Sequence, residues 1–134
     1  MGYFFRVSAC IGICLSVAAC GPKMTAAEQA AIQKEAQKTV TCQAGADCKL
    51  KWELATEWVA RYSHYGIRVA SSRLIQTTGP LHSSTNSAFT ITKFPTKDRN
   101  VYNIEFQSFC DNWLGCKPSE DELKAYFNYF ITHP

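Results

Sequence analysis

Four cysteines of this chain fall into two matched pairs, in the stretches CQAGADC (42–48) and CDNWLGC (110–116), each pair separated by five residues. The spacing admits three chemistries, and each would impose a different fold. Zinc-binding pairs usually sit about two to four residues apart and are joined by a second Cys-x-x-Cys or His-x-His element, which this sequence lacks. A redox loop would favour Cys-x-x-Cys with a depressed thiol pKa, and that is missing too. Structural disulfides are the reading that remains, provided the chain meets an oxidising compartment.

The N-terminus bears on that condition. Residues 1–6 carry one basic side chain, Arg6, and the apolar run VSACIGICLSV occupies 7–17. A run of that length is short of the roughly 20 apolar residues that a membrane-spanning helix needs, and small residues follow it rather than a basic stop. It ends in Val17-Ala18-Ala19-Cys20. This segment resembles the lipobox of bacterial lipoprotein precursors, with an aliphatic residue three positions before a cysteine and small residues between. The resemblance covers the first twenty residues only. It implies cleavage after Ala19, a diacylglyceryl group on the Cys20 sulfur and usually acylation of the new amino group. Two or three acyl chains, at about 0.8 kcal/mol per buried methylene, hold a protein on a bilayer far more firmly than one. Gly21 follows where the family's inner-membrane retention signal is an aspartate, so the resemblance implies the periplasmic face of the outer membrane. An ordinary secretory signal cut at an A-x-A-like site is the alternative reading of the same residues.

Under this reading Cys10 and Cys14 leave with the signal and Cys20 takes lipid, so Cys42, Cys48, Cys110 and Cys116 remain as an even set in an oxidising space. Four cysteines allow three connectivities. Local pairing closes two small rings worth about 2.4 kcal/mol each in the chain-entropy treatment, and pairing across the chain closes rings worth about 4.4 kcal/mol each. Geometry decides between them. Gly45 and Gly115 offer turns inside both short loops and favour local pairing, with the crossed connectivities left open.

Removing residues 1–19 leaves 134 less 19, or 115, residues, suited to one domain. Of 17 aromatic residues, Tyr3, Phe4 and Phe5 go with the signal and 14 stay, ample for one core. Without Arg6, 13 basic side chains face 11 acidic ones, a formal charge of +2 with no run of one sign. That balance gives no argument for nucleic acid.

Residues 24–40, MTAAEQAAIQKEAQKTV, are strong helix formers with Thr25 and Glu28 spaced as a capping box, yet they offer little apolar bulk beyond Ile32 and Val40. They read as a polar tether helix standing the domain off the membrane. The chain thus divides into a signal peptide (1–19), a lipidated N-terminus with its tether (20–41) and a globular domain (42–134). In 48–64, Leu54, Ala55, Trp58, Val59 and Tyr62 recur at helical spacing, Lys51 in the first turn reaches outward along its stem, and Gly66 is placed as a C-cap. Strand character follows at 67–78, 87–94 and 101–109, with a bend expected near Ser71 to Arg73. The last segment, 118–132, opens with Ser119 and Glu122 as a second capping box and carries Leu123, Tyr126, Phe127, Phe130 and Ile131 as one apolar face. Tyr129 lies off that face. The expected architecture is α+β and two-layered: a disulfide-stapled, three-stranded antiparallel meander packed by two helices, preceded by the tether. Small lipoproteins of the outer-membrane barrel-assembly machinery share this layout but no motif with the chain, so the analogy carries no function. The Lys51-Trp52 pair, the four cysteines and the segment FNYF (127–130) resemble small uncharacterised proteobacterial lipoproteins, which supply no activity either.

A search for catalytic machinery finds none. His64, His82 and His133 belong to no zinc or nucleophile motif, and Ser83, Ser84 and Ser87 near His82 lack an oxyanion-hole or nucleophile-turn context. Glu120, Asp121 and Glu122 are explained by a helix start. No motif implies a metal or a cofactor. For binding, Trp113 and Leu114 sit mid-ring in CDNWLGC. Burial of Trp113 against the sheet is the first expectation, and display at a rigid tip, where tryptophan makes a good interface anchor, is the second. Trp113, Leu114 and Tyr129 are therefore the candidate partner-binding residues. The sequence points to a non-enzymatic envelope module that meets another envelope protein. A hydrolase or small-ligand domain using His82 or His64 is the alternative.

Overall fold

The computed structural model describes residues 24–134, so the signal peptide and Cys20 lie outside the described residues. Thr25 and Glu28 form the expected reciprocal cap on α1 (Ala26–Ala36). β1 (Val40–Gln43), α2 (Ala46–Tyr62), β2 (Ile67–Ala70), β3 (Leu74–Thr77), β4 (Ala88–Pro95), β5 (Val101–Phe109) and α3 (Glu120–Thr132) follow. Ser119 caps α3 as expected, its hydroxyl accepting from the Glu122 N–H while the Glu122 carboxylate accepts from the Ser119 N–H.

The sheet has five strands, not three, in the order β1-β5-β4-β3-β2, every neighbour antiparallel. Two corrections account for the difference. The stretch 67–78 is a hairpin rather than one bent strand, because Ser71 closes a turn: its N–H donates to the Leu74 carbonyl at 2.8 Å, and its Oγ accepts from the N–H groups of Arg73 and Leu74. Then Val40 to Gln43, of which Val40 and Thr41 were read as the end of the tether, pair with Ile104 to Val101 and extend the sheet past β5. In β1 Val40 and Cys42 face inward and are buried, while Thr41 and Gln43 face out.

Alternation along the central strands sets which face is covered. Ile75 on β3, Phe89 and Ile91 on β4, and Ile104 and Phe106 on β5 are buried beneath α2 and α3. α2 contributes Ala55, Trp58 and Val59 to that layer, and α3 contributes Leu123, Phe127 and Ile131 at i, i+4 and i+8. Trp58 is the hub, with ring centroids of Phe89, Phe106 and Phe127 at 5.3, 5.4 and 5.4 Å, the last two edge-on. α2 ends earlier than the Gly66 reading placed it: Ser63 is the C-cap, its N–H donating to Val59, and Gly66 lies beyond. Lys51 also departs from the outward reading. Its ammonium turns back to the Thr41 carbonyl at 2.9 Å and the Asp47 carboxylate at 3.1 Å.

Both disulfides close locally, Cys42 with Cys48 and Cys110 with Cys116. Gly45 (φ +103) and Gly115 (φ +93) occupy the left-handed region inside the two rings, where a β-carbon would be strained. The first ring fastens β1 to the start of α2. Asp47 sits within it, and a hydrogen bond from the Gln43 N–H at 2.8 Å is the main cause of a carboxyl pKa below the usual range, with Lys51 adding to it.

The polar helix expected to stand apart as a tether lies instead along α3. Asn128, buried in the middle of α3, donates from Nδ2 to the carbonyls of Glu35 at 3.0 Å and Lys38 at 3.3 Å, the last turn and exit of α1. Ala36 and Ala125 are buried nearby in sequence on the two helices, small enough to permit close approach. We expect Asn128→Ala to cost about 1–3 kcal/mol through the unsatisfied carbonyls. Hydrogen exchange would show faster exchange of α1 amides with β4 and β5 unchanged. Uniformly faster exchange, or none, would contradict this docking role.

Candidate functional site

Not all of the predicted α3 stripe is core. Leu123, Phe127 and Ile131 enter the sheet layer, but Tyr126 is 56 % exposed and Phe130 only partly buried. The same holds for α2, where Tyr62, one turn past Trp58, is 57 % exposed. The reason is geometric: an apolar arc spanning i, i+3, i+4, i+7 and i+8 is wider than the line along which a helix touches a sheet. What the sheet does not cover on the two helices faces a shared crevice.

That crevice is a groove of about 500 Å³ lined by Trp58, Tyr62, Pro118, Leu123, Tyr126, Tyr129 and Phe130. Buried Trp58 and Leu123 form its floor, and the walls are rings. Tyr62 lies 5.4 Å from Trp58 and edge-on to Phe130 at 6.4 Å. Tyr129, 57 % exposed, carries the His133 imidazole stacked on it at 4.1 Å, and that imidazole is held by the Tyr129 carbonyl at 3.0 Å from Nδ1. Among the described residues no protein group hydrogen-bonds the hydroxyls of Tyr62, Tyr126 or Tyr129. They rim an apolar trough with unengaged donors.

The three candidate residues do not form one patch. Tyr129 belongs to the groove. Trp113 and Leu114 are not buried against the sheet: they are 89 % and 67 % exposed at the tip of the second ring and line no part of the groove. The ring explains the display. The Leu114 N–H donates to the Asn112 side chain at 2.8 Å and the Gly115 N–H to the Asn112 carbonyl at 3.1 Å, a tight turn that turns both side chains outward. Asn112 also donates to the Ser83 carbonyl, and the Lys117 N–H to that of Thr85, fixing the ring to loop 80–86. The ring leads within two residues into Pro118, so the tip and the groove adjoin in sequence. Tyr62 and Tyr126 were the residues missed. Their available signal was a tyrosine at the margin of each helical stripe, where a buried position would favour phenylalanine or leucine.

His82 pairs with Asp111 at 2.8 Å, but the His82 side chain is 89 % exposed, and the pair ties the same two loops together. His64 is exposed and meets Tyr65 edge-on. None of the three histidines lines the groove. Among the described residues no three His, Cys, Asp or Glu side chains converge as a metal site, and no helix is long and apolar enough to cross a membrane. Comparison with known proteins yields no matching family model, no matching curated protein and no matching solved structure.

Proposed function

We propose that this chain is a lipid-anchored, non-enzymatic binding module of the bacterial envelope. It is tethered through Cys20 to the periplasmic face of the outer membrane and docks a partner protein in the groove between α2 and α3. The leader pattern supports export and lipidation, and the two closed disulfides accord with an oxidising compartment. The observation that carries the docking role is the groove, where Tyr62, Tyr126 and Tyr129 are each more than half exposed around an apolar floor. Large rigid rings with a polar end supply contact area at low entropy cost. Trp113 and Leu114, apart from the groove at the tip of the second ring, offer a second contact.

The test is crosslinking in cells from a photoreactive residue at Tyr126, with mass spectrometry of the captured species. A discrete partner is expected, and Tyr129→Ala together with Tyr62→Ala is expected to lower its yield at least about tenfold, the effect of a hot-spot loss above about 1.4 kcal/mol. Trp113→Ala reports on the ring tip separately: an unchanged set of partners removes Trp113 as an anchor. Absence of any specific crosslink from Tyr126, with the protein folded and acylated, would refute the docking role. Palmitate labelling lost in Cys20→Ser checks the anchor in the same strain.

A further inference from the structure

A second cavity, remote in sequence from the α3 half of the groove, has a different character. About 460 Å³ in volume, it opens between the start of α2, the Ser71 turn and β4, with Trp52 and Tyr102 as walls and Lys49, Arg73 and Lys93 among its lining. The Lys93 ammonium sits over the Trp52 ring at 4.7 Å from its centroid. The indole is fixed in place by its Nε1–H, which donates to the Ser71 carbonyl at 2.9 Å. Lys93 and Arg73 are cross-strand neighbours, the Lys93 N–H donating to the Arg73 carbonyl at 2.9 Å. Neither forms a salt bridge among the described residues. One carboxylate, Glu53, lines the cavity. Desolvation, with Arg73 next, holds the Lys93 pKa below the ordinary lysine value. Three cations thus line an aromatic hollow against a single carboxylate, two of them brought side by side on neighbouring strands, an imbalance of the kind that proteins retain at binding sites.

We propose that this hollow binds a small organic anion, a phosphate or carboxylate on a flat apolar body, with Arg73 and Lys93 taking the anionic group and Trp52 and Tyr102 flanking the body. An arriving anion would relieve the repulsion between the two cations and add to the counter-charge that Glu53 alone supplies. The guanidinium offers a bidentate fork to either head group. The cavity volume falls within the range of about 300–1,000 Å³ usual for small-molecule sites. The site is separate from the docking groove and stands or falls independently of it.

The test titrates the isotope-labelled full chain, purified in a non-ionic detergent at low salt, with phenyl phosphate, benzoate, inorganic phosphate and phenol, following backbone amides and the Trp52 indole N–H by NMR. Saturable shifts at Trp52, Arg73 and Lys93 are expected with phenyl phosphate or benzoate, and the tighter of the two assigns the head group. Inorganic phosphate and phenol, each lacking one half of the ligand, are expected to bind at least several-fold more weakly. Arg73→Gln and Lys93→Gln are each expected to weaken binding about tenfold, the loss of one charge-assisted hydrogen bond. Raising the salt concentration gives a readout without substitution, because an ion-paired ligand must weaken. Binding insensitive to salt and to both variants would overturn the proposal, as would shifts centred elsewhere on the molecule. Anionic phospholipid vesicles form the last arm: if they shift these residues and neither aromatic anion does, the surface recognises lipid headgroups and the small-ligand proposal fails.

Discussion

Trp58→Ala is expected to destabilise the domain by about 3–5 kcal/mol, the range for truncating a buried tryptophan. The size of the effect follows from position. Trp58 touches rings from β4, β5 and α3 and is 3 % exposed, so its removal opens a void at the junction of three elements. The same side chain is the floor of the groove, and loss of partner crosslinking from Tyr126 should accompany the loss of stability. Urea unfolding followed by far-ultraviolet circular dichroism would measure it. Tyr129→Ala is the control that separates the two roles, since an exposed ring on the groove wall should cost no more than about 0.5 kcal/mol while still lowering crosslinking from position 126. A loss below about 1 kcal/mol for Trp58→Ala would mean that the aromatic junction does not hold the layers together.

The two disulfides should prove unequal, although their rings are the same size. In the chain-entropy treatment each contributes about 2.4 kcal/mol through the unfolded state. The difference lies in burial. Cys42 and Cys48 are 2 % and 6 % exposed and belong to the central apolar cluster, whereas Cys110 is buried beside a partly buried Cys116 and lies outside that cluster. Replacing Cys42 and Cys48 with alanine therefore removes packing as well as a crosslink and frees β1 from α2. We expect that double variant to lose at least about 1 kcal/mol more than the Cys110→Ala, Cys116→Ala pair, read as urea midpoints at a common slope. The second pair should leave the sheet intact and act chiefly on the display of Trp113 and Leu114. Equal losses, or a larger loss for the second pair, would contradict this division.

The parts of the fold legible in the sequence are those where one physical signal had no competitor. β5 shows strict alternation through Ile104 and Phe106, and Ser119 with Glu122 announces α3 before its apolar residues begin. The two small disulfide rings likewise came from local spacing and from glycines placed to turn them. What was not legible depended on partners distant in sequence. Val40 to Gln43 form a strand of four residues with a single large apolar side chain, and β5 supplies the reason they are extended. α1 docks through alanines and one asparagine 93 and 90 residues from its two acceptors, which no periodicity in an alanine-rich segment reveals. The groove escaped because Tyr62 and Tyr126 fit an apolar stripe as well as phenylalanine would. Only the curvature of the contact between helix and sheet leaves them outside. The cationic hollow brings Lys49 and Trp52 of α2 to Arg73 and Lys93 of the β-hairpin region, residues ordinary in their own neighbourhoods and conspicuous only together.

The bonds from Asn128 to the end of α1 bear on how such a protein would stand at a bilayer. If Cys20 carries acyl chains as proposed, four residues lie between it and the α1 cap at Thr25, a leash of at most about 18 Å. Because α1 is clamped to the body and not strung out from it, slack in the attachment ends there, and the domain would rest at a restricted attitude and height above the lipid. The crevice would then sample a thin shell of the periplasm, and a partner would have to present itself at that level.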